Sequence, residues 1–477
     1  MSNHPTPGPQ HAETPHLTTL LLFALPPSSF LGLDLFSFTT SPTPHKHPFH
    51  GLKLVPSGLH HLYIAPGPLS DFSPRTGLWF YASGAPGSVI ALRWSDQEGQ
   101  LVQATEQDLW EKGDWVKWWY DGSLVEYRAT GESGMQEAGE ARIWKALVGE
   151  VGEGTLARVT EPPTESGDMC SSLAGEIPQK LKLWRVESAS SGAQDRDDEI
   201  LSKIQLPQGI ENTRMNINKS KDDQTLNILP IDLKRTFPPT ATGRERTLAA
   251  QDRSWYLNHL ISTYLVPHTH PPPPTCIVQL DPGSREVLGE LEFAFIHALT
   301  LANYSCSQAY MRILTICLTC EERILTKPGF YHRLIEVLIT EVGVGLDCFA
   351  PPDAAMGDGE LGGAEGHGEA EAWAPDWLTE GPNPLPKLLR RFLRTLKRLL
   401  GEVELAQHRE TLEELLTRLC RLEAVVESKF GWVIDTSKVV KKGFVQLEDG
   451  EMVELEMTAL LEEEEEEEGE GPVVVEL

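Results

Sequence analysis

The sequence predicts an α+β protein with a β-rich N-terminal domain of sandwich or barrel type and an all-α C-terminal domain. Short β-prone runs separated by Gly and Pro fill most of the first hundred residues, whereas beyond residue 226 apolar residues recur with helical spacing. The length of 477 residues is enough for two or three domains. Two acidic segments look unable to bury a core, and they predict disordered linkers and an acidic C-terminal tail.

The negative charge is concentrated in those two segments. Residues 448–477 contain fourteen acids and residues 347–380 contain nine, with no Lys or Arg in either. Removing these twenty-three charges from the total of -29 leaves a formal charge of only -6 on the rest of the chain. Because a nucleic-acid binder needs a basic stripe, direct DNA binding is excluded and RNA contact is disfavoured. A protein partner is favoured.

Cysteine content and hydropathy indicate a reducing compartment and no membrane. Seven cysteines, an odd number with a single close pair, form no disulfide framework. No apolar stretch reaches the roughly 18 residues that a transmembrane helix requires. The early apolar run Leu20 to Leu25 follows a segment without Lys or Arg, which predicts a strand rather than a signal peptide.

Composition divides the chain into five parts. The predicted parts are a disordered 1–16, a β-rich domain with closing helices at 17–158, a mostly disordered linker at 159–224, a helical domain at 225–435 with a disordered acidic insertion at 351–384, and an acidic tail at 436–477. Gly, Ala and Glu without periodicity define the insertion. Asp449-Gly450, between alternating residues from Phe444 to Leu455, predicts a hairpin in the tail.

The individual elements follow from local pattern. Strands are predicted at Leu20 to Leu25, Leu31 to Phe38, Gly51 to Val55, Leu59 to Ile64, Gly77 to Tyr81 and Val89 to Trp94. Helices are predicted at Thr105 to Tyr120, Gly139 to Gly149, Arg244 to Val266, from Ser284 onward, Ser305 to Leu325, Tyr331 to Val342, Leu388 to Leu400 and Val403 to Lys429. Pro and Gly separate most of these segments, as they do between regular elements.

Two histidine groups are candidate chemical sites, and each has a simpler interpretation. His45, His47 and His50 have metal-ligand spacing, but they lie among prolines with no nearby acid to orient the rings, which favours a solvated loop. His60 and Asp34 would suit a general base and its orienting carboxylate, although the sequence places no nucleophile beside them. The simpler interpretation puts one of His60 and His61 inside the strand and the other outside.

Cys317 and Cys320 have the spacing of a metal or redox pair. They fall in an apolar run that is predicted to be the middle of a helix, with no second cysteine pair. A redox pair needs an exposed helix N-terminus that lowers a thiol pKa, and a zinc knuckle needs four ligands. Buried core cysteines are therefore the favoured interpretation. No catalytic motif, cofactor or metal site is predicted, and an enzyme is not expected.

One predicted helix has a strongly basic face. Its cations, Lys387, Arg390, Arg391, Arg394, Lys397 and Arg398, are interleaved with Leu and Phe. This spacing predicts an amphipathic helix whose basic face is either solvated or binds an acidic surface, including the acidic loop that precedes it. An acidic-peptide scaffold is therefore the alternative function, and RNA contact there is disfavoured.

The last six residues are the candidate partner-binding segment. They are Pro472, Val473, Val474, Val475, Glu476 and Leu477, and they follow seven consecutive glutamates, Glu462 to Glu468. A short β-branched segment on an acidic tether is typical of a strand added to another protein's sheet edge, with an inert tail as the alternative. Pro472 cannot donate a backbone hydrogen bond and suits the first position of such a strand.

Several segments together resemble the Aar-two family of splicing factors. Leu31 to Phe38, Phe49 to His60, Thr76 to Phe80 and Leu92 to Ser95 are similar to the family's N-terminal core, Leu288 to Phe295 is similar to its "L-G-E-L-Q-F-A-F" helix, and Pro472 to Leu477 matches its "P-V-V-V-E-L" ending. These matches occur in both predicted domains and at the terminus. Their order and spread carry the resemblance, since no single motif is decisive.

The resemblance implies a non-catalytic assembly factor of the U-five small nuclear ribonucleoprotein (snRNP). It implies a helical domain similar to the VHS superhelix, and binding to the scaffold Prp-eight at its RNase H-like and Jab/MPN domains, among U-five snRNP precursor proteins. The terminal strand is implied to clamp those domains and to keep the helicase Brr-two and RNA away until maturation in the nucleus. A cytoplasmic and nuclear protein is therefore expected. The Glu run is hypothesised to screen a basic surface of the scaffold, with a solubilising spacer as the alternative.

Overall fold

The computed structural model describes most of both predicted domains. It covers residues 17–40, 48–67, 74–83, 88–105, 107–108, 116–127, 139–160, 181–192, 225–265, 280–349, 373–402 and 406–435, and the backbone of 442–446 and 452–456. The fold is α+β as predicted, with a β-rich N-terminal part and a helical C-terminal part. Among the described helices, none combines the length and the apolar character that a bilayer crossing demands.

Two five-stranded sheets form the N-terminal part. The strands are β1 (Thr18–Phe23), β2 (Phe30–Leu33), β3 (Phe36–Thr39), β4 (Gly51–Val55), β5 (Gly58–Ala65), β6 (Thr76–Ala82), β7 (Val89–Ser95), β8 (Gln100–Gln103), β9 (Leu124–Glu126) and β10 (Trp184–Glu187). One sheet has the order β8-β7-β1-β4-β9 and the other β10-β6-β5-β2-β3. Leu20 and Leu92 of the first sheet share a buried core with Leu62 and Phe80 of the second, which makes the pair a sandwich.

The segment predicted as one strand, Leu31 to Phe38, is a hairpin. β2 and β3 are antiparallel neighbours, and Leu33 pairs with Phe36 across the turn. Asp34 sits in this turn with a φ of 56°, a left-handed conformation that a non-glycine residue adopts only occasionally. Its carboxylate accepts hydrogen bonds from β5, and those contacts hold the turn where local sequence signals did not reveal it.

The region predicted as mostly linker, 159–224, contributes a strand to the second sheet. β10 pairs antiparallel with β6, so that Trp184 faces Trp79. The strand has only four residues, Trp-Arg-Val-Glu, which is too short for alternation to stand out in a polar segment. A short parallel pair, β11 (Ser191–Gly192) and β12 (Thr225–Leu226), connects the same region to the start of the helical part.

Three helices lie beside the sandwich. They are α1 (Val116–Asp121), α2 (Gly139–Leu147) and α3 (Glu153–Thr160), and the sequence had predicted the first two but not the third. Trp118 and Trp119 of α1 pack on Leu21 and Phe23, on the outer face of the first sheet. Trp144 of α2 donates its indole N–H to the Leu59 carbonyl at 2.8 Å, which places α2 against the second sheet.

The C-terminal part is mostly helical between residues 244 and 430. Its helices are α4 (Arg244–Gln251), α5 (Ser254–Leu260, continued as a π-helix over Ile261–Leu265), α6 (Pro282–Thr300), α7 (Tyr304–Cys317), α8 (Glu321–Thr326), α9 (Pro328–Thr340, followed by a π-helix over Glu341–Gly345), α10 (Leu346–Phe349), α11 (Asp376–Thr379), α12 (Leu385–Glu402) and α13 (Ala406–Phe430). Asp281 caps α6 by accepting the Ser284 N–H at 3.0 Å. Pro328 opens α9, which agrees with the predicted break.

One hydrophobic core joins the two parts of the chain. It runs from Trp79 and Trp184 of the second sheet through α2 and α3 to the helices α6 to α13. The second sheet is consequently buried on both faces, by the first sheet on one side and by helices on the other. Most side chains on both faces of β5 and β6 are therefore buried, unlike those of a sheet with one face in water, and Tyr81 near the end of β6 is an exposed exception.

Candidate functional site

The predicted partner-binding strand, Pro472 to Leu477, lies outside the described residues, and so does Glu462 to Glu468. The part of the tail that the structure describes is the predicted hairpin, formed by β13 (Lys442–Gln446) and β14 (Met452–Glu456). Gln446 pairs with Met452 at its closed end, so Asp449-Gly450 falls in the five-residue connection, as predicted. The hairpin therefore separates the helical part from the segment that carries the candidate strand.

The predicted basic helix is α12, and much of its cationic face is bound to the chain itself. Its apolar residues Leu388, Leu389, Phe392, Leu393, Leu396 and Leu399 are all buried, which confirms the amphipathic prediction. Arg390 donates through Nε to the Val433 carbonyl at 3.0 Å, and Lys397 pairs with Asp435 at 2.9 Å. Arg398 pairs with Glu321 and, one helical turn on, with Glu402.

The remaining three basic residues of the predicted face lie in the N-terminal two-thirds of α12. Lys387 is half-buried, and Arg391 and Arg394 are exposed. Arg391 donates through Nη2 to the Gln251 carbonyl at 3.2 Å, which ties α12 to the end of α4. The face is thus partly an internal packing surface, and the exposed Arg391 donates to a neutral carbonyl.

The His60 and Asp34 pair exists, but its geometry closes it to catalysis. His60 Nδ1 lies 2.7 Å from Asp34 Oδ2, and Nε2 lies 2.9 Å from the Pro56 carbonyl. Both of those partners are acceptors, so both ring nitrogens must donate and the imidazole carries its second proton. Burial alone would lower the pKa of His60, but the charge and hydrogen bond of Asp34 and the Pro56 carbonyl raise it. The ring has no lone pair with which to act as a base.

The expectation that one of the two histidines would lie outside the strand is wrong. His60 and His61 are both buried, because β5 has cores on its two faces. His60 points into the sandwich beside Phe80, and Tyr127 donates its hydroxyl to Asp34 at 2.6 Å. His61 points toward the helices, where its ring lies 5.0 Å from that of His297. Burial, and then the neighbouring His297, lower the pKa of His61 well below its usual value.

Cys317 and Cys320 are buried, as predicted, but they are not in the middle of a helix. Cys317 is the last residue of α7, and Cys320 precedes the first residue of α8. Burial raises the pKa of the Cys317 thiol to about 12, and it raises that of Cys320 well above its usual value. The Cys320 thiol donates to the Ile316 carbonyl at 3.1 Å. Neither thiol has the exposure and low pKa that redox chemistry requires.

The predicted histidine loop is described only at its end. His45 and His47 lie outside the described residues, whereas His50 stacks on Trp118 with ring centroids 4.0 Å apart. Across the described ranges, no group of three His, Cys, Asp or Glu side chains is arranged to hold a metal ion.

Sequence reasoning missed the role of the acids in Leu288 to Phe295, the segment of α6 that carries part of the family resemblance. Glu292 is fully buried, and its Oε2 accepts the N–H groups of Glu150 and Val151 at 2.7 and 3.1 Å. Glu290 is also fully buried. It accepts the Leu229 N–H at 2.7 Å and pairs with Arg158 Nη2 at 2.7 Å. These glutamates bind backbone and side chains of the N-terminal part to the helical part. Two acids inside an apolar helix were the sequence feature that could have predicted this role, since buried acids need polar partners.

A second set of contacts attaches α6 and α7 to the second sheet. Trp79 Nε1 donates to His297 Nε2 at 3.0 Å, and His297 Nδ1 donates to the Phe293 carbonyl at 2.7 Å. Asn303 caps α7, since its Oδ1 accepts the Cys306 N–H. Its Nδ2 donates to the Ser190 carbonyl, in the turn after β10, at 2.8 Å. The two parts of the chain are therefore joined by specific polar contacts as well as by the shared core.

Comparison with known proteins assigns both parts of the chain to the same family. Residues 16–161 match the model for the AAR2 N-terminal domain, and residues 229–435 match the model for the AAR2 C-terminal repeat region. Proteins named "Protein AAR2 homolog" from Macaca fascicularis, Mus musculus and Homo sapiens are 21%, 22% and 20% identical over 340, 341 and 348 residues. Each alignment covers 68% of this chain and 75% of the relative. This chain belongs to the AAR2 family.

Proposed function

We propose that this protein is a non-catalytic assembly factor in pre-mRNA splicing that binds the scaffold Prp-eight during U-five snRNP biogenesis. The observation that carries the proposal is that both AAR2 family regions are present and share one core. Family membership supports a role in splicing-related assembly. The closed His60 and Asp34 pair and the buried, high-pKa cysteines remove the described candidates for catalysis, which supports a function by binding alone.

The proposed contact is a clamp made by the C-terminal strand. Pro472 to Leu477 would add to a sheet edge between the RNase H-like and Jab/MPN domains of Prp-eight, where backbone hydrogen bonds supply affinity and alternate side chains supply register. Ordering such a segment costs part of the energy of the contacts, so the strand alone binds weakly. Docking of the folded domains raises the effective concentration of the strand at its site.

The clamp would delay the next partners of the scaffold. A strand held between two domains fixes their relative position and covers the edge that it occupies. In this proposal the assembly factor thereby keeps Brr-two and RNA from binding to Prp-eight until the particle matures. Association with U-five snRNP precursor proteins would begin in the cytoplasm and end in the nucleus.

The alternative function, a scaffold that binds acidic peptides along α12, has less support. Arg390, Lys397 and Arg398 are already bound to Val433, Asp435 and Glu321 of the same chain. An acidic peptide would have to displace those contacts or use the N-terminal two-thirds of the helix alone. The two surface ion pairs, those of Lys397 and Arg398, contribute only about 0.2 to 1 kcal/mol each. The hydrogen bond of Arg390 to the Val433 carbonyl would have to be broken as well.

The test is assembly of the purified RNase H-like and Jab/MPN domains with the full chain and with a chain that ends at Gly471. Size-exclusion chromatography with light scattering would follow the three-component complex. The clamp predicts that the shortened chain keeps weak binary binding and loses the three-component complex. A matched control, Glu470→Gln in the full chain, leaves Pro472 to Leu477 intact and should assemble normally.

Two outcomes would reject the clamp. If the chain ending at Gly471 assembles as well as the full chain, the terminal strand is a spacer. If the charge-reversed variant Arg391→Glu loses binding while the shortened chain keeps it, the basic helix is the partner-binding surface and the alternative function is supported.

A further inference from the structure

Two arginines beside the exposed face of α12 lack a carboxylate partner within the described part of the chain. Arg253, between α4 and α5, donates through Nη1 to the Thr319 hydroxyl at 2.9 Å. Arg391, on α12, donates to the Gln251 carbonyl at 3.2 Å. Both acceptors are neutral. The two side chains lie close enough that the charge of Arg391 acts on Arg253.

The positive charge at this place is only partly offset by acids of the described residues. Burial and then the charge of Arg391 lower the pKa of Arg253. Burial also lowers the pKa of Arg391; of its charged neighbours, Glu321 has the larger effect and raises it, and Arg394 lowers it. Glu321 is itself paired with Arg398. The Nε of Arg253 is buried without a hydrogen-bond partner, so no acceptor offsets its charge at that atom.

The tail follows α13, and residues just after that helix are bound to α12. Arg390 binds the Val433 carbonyl and Lys397 binds Asp435, which is the last residue described before the hairpin. Along α12, Lys397 is six residues from Arg391, a distance of about 9 Å at the helical rise of about 1.5 Å per residue. Measured along α12, the chain thus enters its acidic tail within one or two helical turns of Arg391.

The length of the tail allows the seven-glutamate run to return to this place. Six residues separate Asp435 from β13 and five separate β14 from Glu462. At about 3.3 Å per extended residue, these connections reach roughly 35 Å even when the hairpin adds nothing. That reach exceeds the separation along α12 severalfold.

We propose that Arg253 and Arg391 form a docking site for a run of carboxylates, and that Glu462 to Glu468 of the same chain occupies it in the free protein. Guanidinium groups bind carboxylates through paired N–H donors. Because the seven glutamates are adjacent, the run can shift along its length and still place a carboxylate beside each arginine. The insertion 351–384 has acids too, but glycines and alanines separate them. The terminal strand begins four residues after Glu468, so the docked run holds that strand near α12.

The experiment measures whether the site is occupied in the full chain. A fluorescein-labelled peptide of seven glutamates is titrated with two full-length proteins, the natural sequence and a variant with serine at each position from Glu462 to Glu468. Fluorescence anisotropy reports binding at low ionic strength, where charge interactions are least screened. The serine variant should bind the peptide at least about tenfold more tightly, since the tethered run no longer competes.

Substitutions locate the site. Arg253→Gln with Arg391→Gln in the serine variant should abolish peptide binding, whereas Arg421→Gln on α13, whose side chain is also exposed, should leave it unchanged. Circular dichroism verifies that each variant is folded. The readout needs no partner protein, so its failure is separate from a failure of the proposed clamp.

Three results would overturn the docking proposal. Equal peptide binding by the natural chain and the serine variant would show that the run does not occupy the site. A gain of binding when serine replaces Asp353, Asp358, Glu360 and Glu365 instead would identify the insertion as the occupant. A gain on simple dilution of the natural chain would show that the tail of a second copy is bound.

Discussion

Trp79 on β6 and His297 on α6 are joined by a hydrogen bond of 3.0 Å between two fully buried rings. Because the indole N–H can only donate, His297 Nε2 accepts, and its Nδ1 carries the proton donated to the Phe293 carbonyl. Burial lowers the pKa of His297 to about 3. The neutral tautomer is therefore fixed by two contacts, one on each side of the boundary between the two parts of the chain.

We expect Trp79→Phe to destabilise the protein by about 1 to 3 kcal/mol, since it leaves the His297 acceptor buried without a donor. The smaller phenyl ring also leaves space in the core, which adds to the loss. Urea denaturation followed by circular dichroism measures it. Trp255→Phe, at a partly exposed tryptophan on α5, is the control and should change the unfolding free energy little. Equal losses in the two variants would contradict the assignment.

The free energy of unfolding should fall in mild acid because of His297. The unfolded chain protonates this histidine near pH 6.5, whereas the folded chain does so only near pH 3. Between these values the unfolded state binds more protons, so stability falls as the pH falls. From pH 7.5 to pH 5 the contribution of this residue is about 2 kcal/mol. The natural protein should lose about that much more than His297→Phe over this range, and parallel pH profiles would refute the prediction.

Glu292 should stabilise the fold mainly because its side-chain oxygen accepts two hydrogen bonds. Glu292→Ala leaves the N–H groups of Glu150 and Val151 without an acceptor, and each unsatisfied buried donor costs about 1 to 3 kcal/mol. Glu292→Gln keeps one acceptor oxygen at the same reach and should lose less than half as much. Differential scanning calorimetry of both variants provides the comparison. A glutamine variant as unstable as the alanine variant would mean that the charge, not the acceptor, matters.

Asp34 should be the essential partner of a buried imidazolium. Asp34→Asn removes the negative charge beside His60, so that an N–H donor of the His60 ring faces a neutral amide. Breaking a buried ion pair of this kind costs about 3 to 5 kcal/mol. Asp96→Asn removes an exposed carboxylate from the turn between β7 and β8 and serves as the matched control. Chemical denaturation at pH 7 would distinguish the two. A loss at Asp34 no larger than that at Asp96 would exclude the imidazolium.

Local pattern predicted most of the strands and helices because their apolar residues repeat with the period of the element. The short strand β10 escaped, since four residues carry little periodicity and its partner β6 lies a hundred residues away. The burial of both His60 and His61 depends on helices covering the outer face of the second sheet. That contact is long-range and leaves no signal within β5 itself.

The sequence predicted which residues form the candidate sites, but it did not predict which residues they contact. The sequence identified the basic face of α12, yet the pairing of Arg398 with Glu321 and of Lys397 with Asp435 arises from chain segments far apart in sequence. Similarly, Glu290 and Glu292 are ionisable residues whose burial is explained only by Arg158 and by backbone N–H groups of other elements. Long-range polar partners decide the role of such residues.

The most direct test of the proposed clamp is the thermodynamic coupling between the two Prp-eight domains. Isothermal titration calorimetry would measure the affinity of the full chain for the Jab/MPN domain, alone and after saturation with the RNase H-like domain. A strand held between the domains predicts tighter binding of the second domain, by about 1 to 3 kcal/mol, and no such gain for a chain ending at Gly471. Equal affinities with and without the first domain in the full chain would contradict the clamp.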